Sequence, residues 1–262
     1  MISDNFKNPI WQPLGDQGLM LDFTGFTPVT AGTKTADIDD AMAHHIAAIA
    51  DHIALQNITG LVEIVPSLTR LLFIIDANVI SVTRLKQLVE LEWQNATQKS
   101  LHQPRHWLLP ICYDEACGPD IADIAKRTNL TADEVIARHL AHELEVAVMG
   151  FMPGLGYMTG VDPALSLPRR ANPRTKVHER SVGIAIGQCV IYPLTSPGGW
   201  NLIGRIAYPL FDTSRDEPIL LRRGDKVRFK RISQETLHAQ EQSYRKGRFT
   251  AADLINDKGR II

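Results

Sequence analysis

The chain has 262 residues, 44% hydrophobic and 22% charged, with a net charge of −1, so it can bury a sizeable core and favours two domains over one. Near-neutral charge leaves no electrostatic case for nucleic acid or an anionic membrane as partner. No apolar stretch reaches bilayer length, the N-terminus lacks the apolar centre of a secretion signal, and the three cysteines, Cys112, Cys117 and Cys189, form no CxxC pair, which predicts reduced thiols in a cytoplasmic protein with no metal site.

In chain order, Leu19–Phe23 reads as a short strand. Asp37 can cap a helix in which Ile38, Met42, Ile46, Ile49 and Ile53 repeat at the helical period. Two β-rich runs follow, Leu61–Val65 and Leu71–Ile75, then a second amphipathic helix opening after Ser81, and an extended segment at His106–Cys112. The order β-α-β-β-α-β predicts a ferredoxin-like N-terminal α+β domain. Asp120–Thr128 reads as a helix, and Thr131 with Glu134 forms a capping box opening another that runs to about Glu143. After Gly150 the pattern changes to short strands separated by Gly/Pro turns: Val182–Ile186, Cys189–Tyr192, Asn201–Ile206, Ile219–Leu221 and Val227–Phe229, the signature of a small barrel or sandwich. The basic run from Arg222 to Arg231 alternates with apolar residues and reads as one solvated strand face. The expected divisions are residues 1–103, 104–232 and a polar tail over 233–262.

Chemistry concentrates in Gly150–Asp212. Arg169 and Arg174 each follow a proline. A planar guanidinium fork on a restricted backbone suits a carboxylate or phosphate, with Arg170 beside it. Pairing of these arginines with nearby acids such as Asp162 or Glu179, as loop staples, explains the same pattern. Ser196-Pro197-Gly198-Gly199-Trp200 offers approachable backbone N–H groups for an anion, or else is a hairpin turn capped by a core tryptophan. His139 is a candidate general acid/base, or a half-buried helix histidine. No nucleotide-binding lysine loop, nucleophile elbow or zinc-hydrolase motif occurs.

The blocks GFMPGLGYM (from Gly150), PRRANPRTKVHERSV (from Pro168) and IYPLTSPGGWNLIG (from Ile191) together resemble the family called allophanate hydrolase subunit 1, which includes the B-type component of bacterial 5-oxoprolinase and a Bacillus sporulation-kinase inhibitor. The likeness extends to Gly118-Pro119-Asp120, Arg138-His139 and ILLRRGDKVRF (from Ile219). Two positions depart from the family pattern: Leu155 replaces an aromatic, and Arg180 replaces a turn glycine, where a side chain must change the backbone or accept the strain of positive φ.

The resemblance implies a cyclophilin-like β-barrel after the α+β domain, and a subunit acting with a barrel-fold partner of C type and a third subunit of A type. The implied reaction is ATP-dependent opening of 5-oxo-L-proline to L-glutamate, with the ATP site completed by a partner subunit. On this reading His139, Tyr157, Arg169 and Arg174 are catalytic, and Pro153, Gly154, Arg170, Ser196, Gly198, Gly199 and Trp200 bind substrate. A regulatory protein gripping a sensor histidine kinase, and a carboxyltransferase-like component of urea or allophanate breakdown, are the alternatives.

Overall fold

Two compact units, Met1–Gln103 and Pro104–Ile262, make up the chain in a computed structural model that describes residues 9–23, 35–95 and 103–255. The first unit holds β1 (Ile10–Leu14), β2 (Gly18–Asp22), α1 (Thr35–Leu55), β3 (Leu61–Pro66), β4 (Arg70–Ile75) and α2 (Val82–Asn95). Its strands form one antiparallel sheet in the order β1-β2-β4-β3. Alternate residues of β2 and β4 (Leu19, Leu21, Leu71, Phe73 and Ile75) meet Met42, Ile46, Ile49 and Ile53 of α1 and Leu85 and Val89 of α2 in one core. The sheet supplies its apolar face at period two and the helices theirs at period 3.6. α1 begins two residues ahead of the expected cap at Asp37.

The predicted β-α-β-β-α-β order fails at its last strand. His106–Cys112 (β5) belongs to the second unit, where it pairs in parallel with β13 (Lys226–Ile232) along its whole length. The edge place beside β2 is taken instead by β1, through a hairpin that turns at Gly15 with φ +67°. β5 leaves because its alternate residues Trp107, Leu109 and Ile111 are buried in the barrel core.

The second unit continues with α3 (Ile121–Thr128), α4 (Ala132–Ala141), β6 (Leu144–Met149), β7 (Gly156–Thr159), β8 (Arg174–Val177), β9 (Ser181–Ala185), β10 (Gln188–Ile191), β11 (Ser196–Gly198) and β12 (Asn201–Ile206). Seven strands close a barrel in the order β10-β7-β6-β13-β5-β12-β9, and β8 with β11 forms a separate two-stranded ribbon. Closure removes exposed sheet edges, which strands this short need. Thr131 and Glu134 make the expected reciprocal cap on α4, with Glu134 N donating to Thr131 Oγ1 at 3.2 Å and Thr131 N to Glu134 Oε2 at 2.7 Å. The expected strand at Ile219–Leu221 is reduced to a single bridge, Phe211 with Ile219.

Beyond β13 the described residues, through Ile255, form two further elements. Ser233 caps α5 (Gln234–Arg245), Leu237 is buried beneath it, and a 3-10 turn at Ala251–Leu254 places Leu254 in the barrel core. Tyr244 of α5 donates to Asp212, and this bond, with those from Ser214, holds the Asp212 carboxyl down at about 2. Sparse but well-placed apolar residues anchor a segment whose average composition is polar. Among the described residues no helix is long and apolar enough to cross a membrane.

Candidate functional site

The loop from Gly160 to Pro173 is fastened to the turn Gly198-Gly199-Trp200 by the backbone itself. Arg170 N donates to Gly199 O at 2.7 Å, and Arg174 of β8 stands opposite Gly198 of β11. Asn201, fully buried, donates Nδ2 to Pro168 O at 3.1 Å and to Ile184 O at 3.0 Å, and accepts from Arg127 Nη1 at 3.1 Å. A buried carboxamide with all these groups satisfied fixes one loop conformation.

Asp120, just ahead of α3 and 3% exposed, ties the arginines together. Its Oδ1 accepts from Arg170 Nη1 at 2.9 Å and from Arg174 Nη2 at 2.6 Å, while Oδ2 accepts from Leu202 N at 2.7 Å. The acids considered from sequence are engaged elsewhere: Asp162 pairs with Arg138 and His142, and Glu179 with Arg180. The staple therefore exists, with a different acid at its centre.

Arg169, exposed on the same loop, lays its guanidinium over the Trp200 ring at 5.3 Å. Tyr157 of β7 adds a second ring 6.0 Å from Trp200. Behind them Tyr192 is buried, which pushes its phenol pKa up, while a hydrogen bond from the Trp200 backbone acts in the opposite direction. Gly198 lies directly on the Tyr192 ring, so that an added Cβ would collide with its hydroxyl and stand 2.8 Å from Cζ. Gly198→Ala is expected to cost about 1–3 kcal/mol of stability by overpacking. Tyr192→Phe, by removing the nearest atom, should restore part of it; equal melting temperatures for G198A and the wild type would show that the turn does not rest on the phenol.

Seven of the predicted residues thus converge: Tyr157, Arg169, Arg170, Arg174, Gly198, Gly199 and Trp200. Ser196 stands apart, opposite Val177, with its hydroxyl donated to Pro197 O at 3.2 Å. Pro153 and Gly154 line a separate cavity of about 860 Å³ with Phe211, Ile219 and Leu221. Met152 links the two places, lining the cavity and packing on the cluster that contains Tyr192 and Trp200.

His139 is not at the arginine loop. It is 2% exposed on α4, hydrogen-bonded through Nδ1 to Tyr113 Oη at 2.6 Å, stacked on Phe229 at 4.7 Å, with Nε2 3.8 Å from Cys189 Sγ. Burial drives its pKa down to about 3, so the imidazole is neutral and enclosed. Of the two readings the sequence allowed, a general acid/base and a half-buried helix histidine, this geometry favours the second.

Sequence reasoning missed Asp120 as the organiser, along with Asn201 and Tyr192. An acid just before a helix reads as a cap, yet the Asp120 side chain makes no capping bond, and nothing local marks its partners about 50 residues away. The basic run, expected as one solvated strand face, is in part ion-paired, with Lys226 on Glu145 and Arg228 on Glu143 in β13 and Arg222 ahead of the strand on Glu217. All three cysteines are buried and free. Arg180 does accept positive φ, at +67°, and is held there by Ala207 O, Glu179 and Glu241 of α5.

Residues 12–221 match the family model described as carboxyltransferase domain, subdomain C and D. The chain is 31% identical over 241 residues to the 5-oxoprolinase B subunit of Bacillus subtilis (strain 168), covering 88% of this chain and 96% of that protein. Among solved structures, TTHA0988 is similar at 33% identity and TM-score 0.67 over 83% of this chain, which spans 40% of that longer protein. The urea amidolyase of K. lactis shares the fold, with TM-score 0.72 and 19% identity over 95% of this chain, which spans 16% of its length. On the extent of these matches, the chain belongs to the family of 5-oxoprolinase B subunits, built on the carboxyltransferase C and D subdomains.

Proposed function

We propose that the chain is the B-type component of an ATP-dependent 5-oxoprolinase, working in the cytoplasm with subunits of C and A type to convert 5-oxo-L-proline to L-glutamate. The observation that carries the reading is the cationic loop: Arg170 and Arg174 gathered against the buried Asp120 carboxylate, and Arg169 held over Trp200, next to a glycine turn. The substrate has matching parts, a carboxylate for the exposed Arg169 guanidinium and a ring that can lie against the half-buried Tyr157.

An amide carbonyl resists water, so the reaction needs activation. ATP, bound at a partner subunit, would supply it by transferring its terminal phosphoryl group to the lactam oxygen, so that addition of water and cleavage of the ring C–N bond would give glutamate, ADP and phosphate. In this chain, Arg169 at the bound carboxylate holds the ring in register, and the Gly199 backbone N–H is the donor offered to developing negative charge. The exposed Arg169 guanidinium fits one anionic group, and on this proposal the nucleotide site is completed by a partner subunit. The same proposal takes the barrel as cyclophilin-like and the first unit as a ferredoxin-like variant with β1 in the place of the final strand.

The test is 5-oxoproline-dependent ATP hydrolysis by the co-expressed subunits, with this chain present or omitted. Activity that requires the chain is expected. Equal activity without it, in an otherwise competent mixture, would overturn the assignment.

A further inference from the structure

The three arginines of the loop are not equivalent, and we infer that Arg169 makes the main contact with the substrate carboxylate, while Arg170 and Arg174 position the loop that carries it. The inference rests on the function proposed above. Arg170 and Arg174 are both bound to Asp120 Oδ1 and are partly buried, with side-chain exposures of 32% and 26%. Two of their other donors, Arg170 Nε and Arg174 Nη1, are enclosed by protein atoms, so each of these guanidinium groups has less left to offer an incoming ligand than Arg169 has. Arg169 is exposed, and no carboxylate pairs with it among the described residues. Its guanidinium is nonetheless oriented, because it lies over Trp200. Stacking leaves the edge of the fork, where the N–H groups lie, open for a bidentate carboxylate, and the rotamer cost of binding is largely met in advance. Trp200 itself is buried beneath Arg169, so the surface left for a five-membered lactam is the half-buried Tyr157 beside it.

The assembled complex provides the test, by comparing turnover of 5-oxoproline with that of 2-pyrrolidinone, the same lactam without a carboxylate. The wild type is expected to prefer 5-oxoproline strongly in kcat/KM. Arg169→Gln should reduce that preference about 10- to 100-fold, the worth of a charge-assisted bidentate contact, chiefly through KM for 5-oxoproline. Turnover of 2-pyrrolidinone should change little. Arg169→Lys keeps the charge and loses the fork and the stack, so it should recover only a minor part of the preference. Because Arg169 is exposed, these variants should melt with the wild type. An unchanged preference in an active R169Q complex would overturn the assignment of Arg169 and leave the proposed function standing. A complex whose ATP hydrolysis ignores 5-oxoproline would overturn both.

Discussion

Asp120→Ala is expected to lower the stability of the chain by about 2–4 kcal/mol and to abolish turnover of the assembled complex. One carboxylate accepts from Arg170 Nη1, Arg174 Nη2 and Leu202 N. Its loss strands a buried backbone donor and leaves two guanidinium groups facing each other across a hole. Removing one member of a buried ion pair costs about 3–5 kcal/mol, because the remaining charge is left uncompensated. The two arginines keep 32% and 26% of their side-chain surface in water, which places the expected figure somewhat lower. Urea unfolding of the purified chain measures the loss of stability. Asp120→Asn separates charge from shape: it retains an acceptor for Leu202 N and should lose less. A cycle combining D120A with R170A should show coupling of at least about 1 kcal/mol, since R170A has little left to remove once Asp120 is gone. Additive effects in that cycle would mean that the pair contributes nothing, and that the loop is held by Asn201 and the β8–β11 ribbon alone.

This organiser marks where sequence reasoning succeeded and where it could not. Elements with a strong local period were readable: α1 through Met42, Ile46, Ile49 and Ile53, and the capped start of α4 at Thr131. The residues that gather at the arginine loop were readable too, because proline, glycine and arginine in dense alternation have few other uses. What failed depends on pairing between distant segments. β5 has the composition of any half-buried strand, and only its partner β13, 120 residues away in register, decides that it belongs to the barrel and not to the first sheet. α5 was hidden by its polar composition, although Leu237 and Tyr244 suffice to dock it. Arg180 is the instructive departure. Of the two courses open to a side chain at this turn, it takes positive φ, at +67°, and its side chain reaches Glu241 of α5 at 3.2 Å, so a tertiary ion pair and the Ala207 carbonyl offset a local strain of about 1–2 kcal/mol.

His139→Gln is expected to leave the turnover of the complex within about threefold of wild type, and to change the pH dependence of stability instead. In the folded chain the imidazole has a pKa of about 3, imposed by burial, whereas an unfolded chain takes up the proton near 6.5. Between those values the unfolded state binds more protons than the folded one, so stability rises with pH through the window and is flat above it. Acidification from pH 8 to pH 5 should therefore cost the wild type about 2 kcal/mol through this one residue, a loss that glutamine, which does not titrate, cannot show. The variant is separately penalised by a poorer partner for Tyr113, whose hydroxyl sits 2.6 Å from Nδ1, but that penalty is independent of pH and drops out of the difference between the two unfolding profiles. A difference that stays constant from pH 8 to pH 5 would mean that the folded barrel admits a proton to His139. Paired with a large loss of turnover in H139Q, that result would return the histidine to the chemistry from which its burial against Phe229 and Cys189 now separates it.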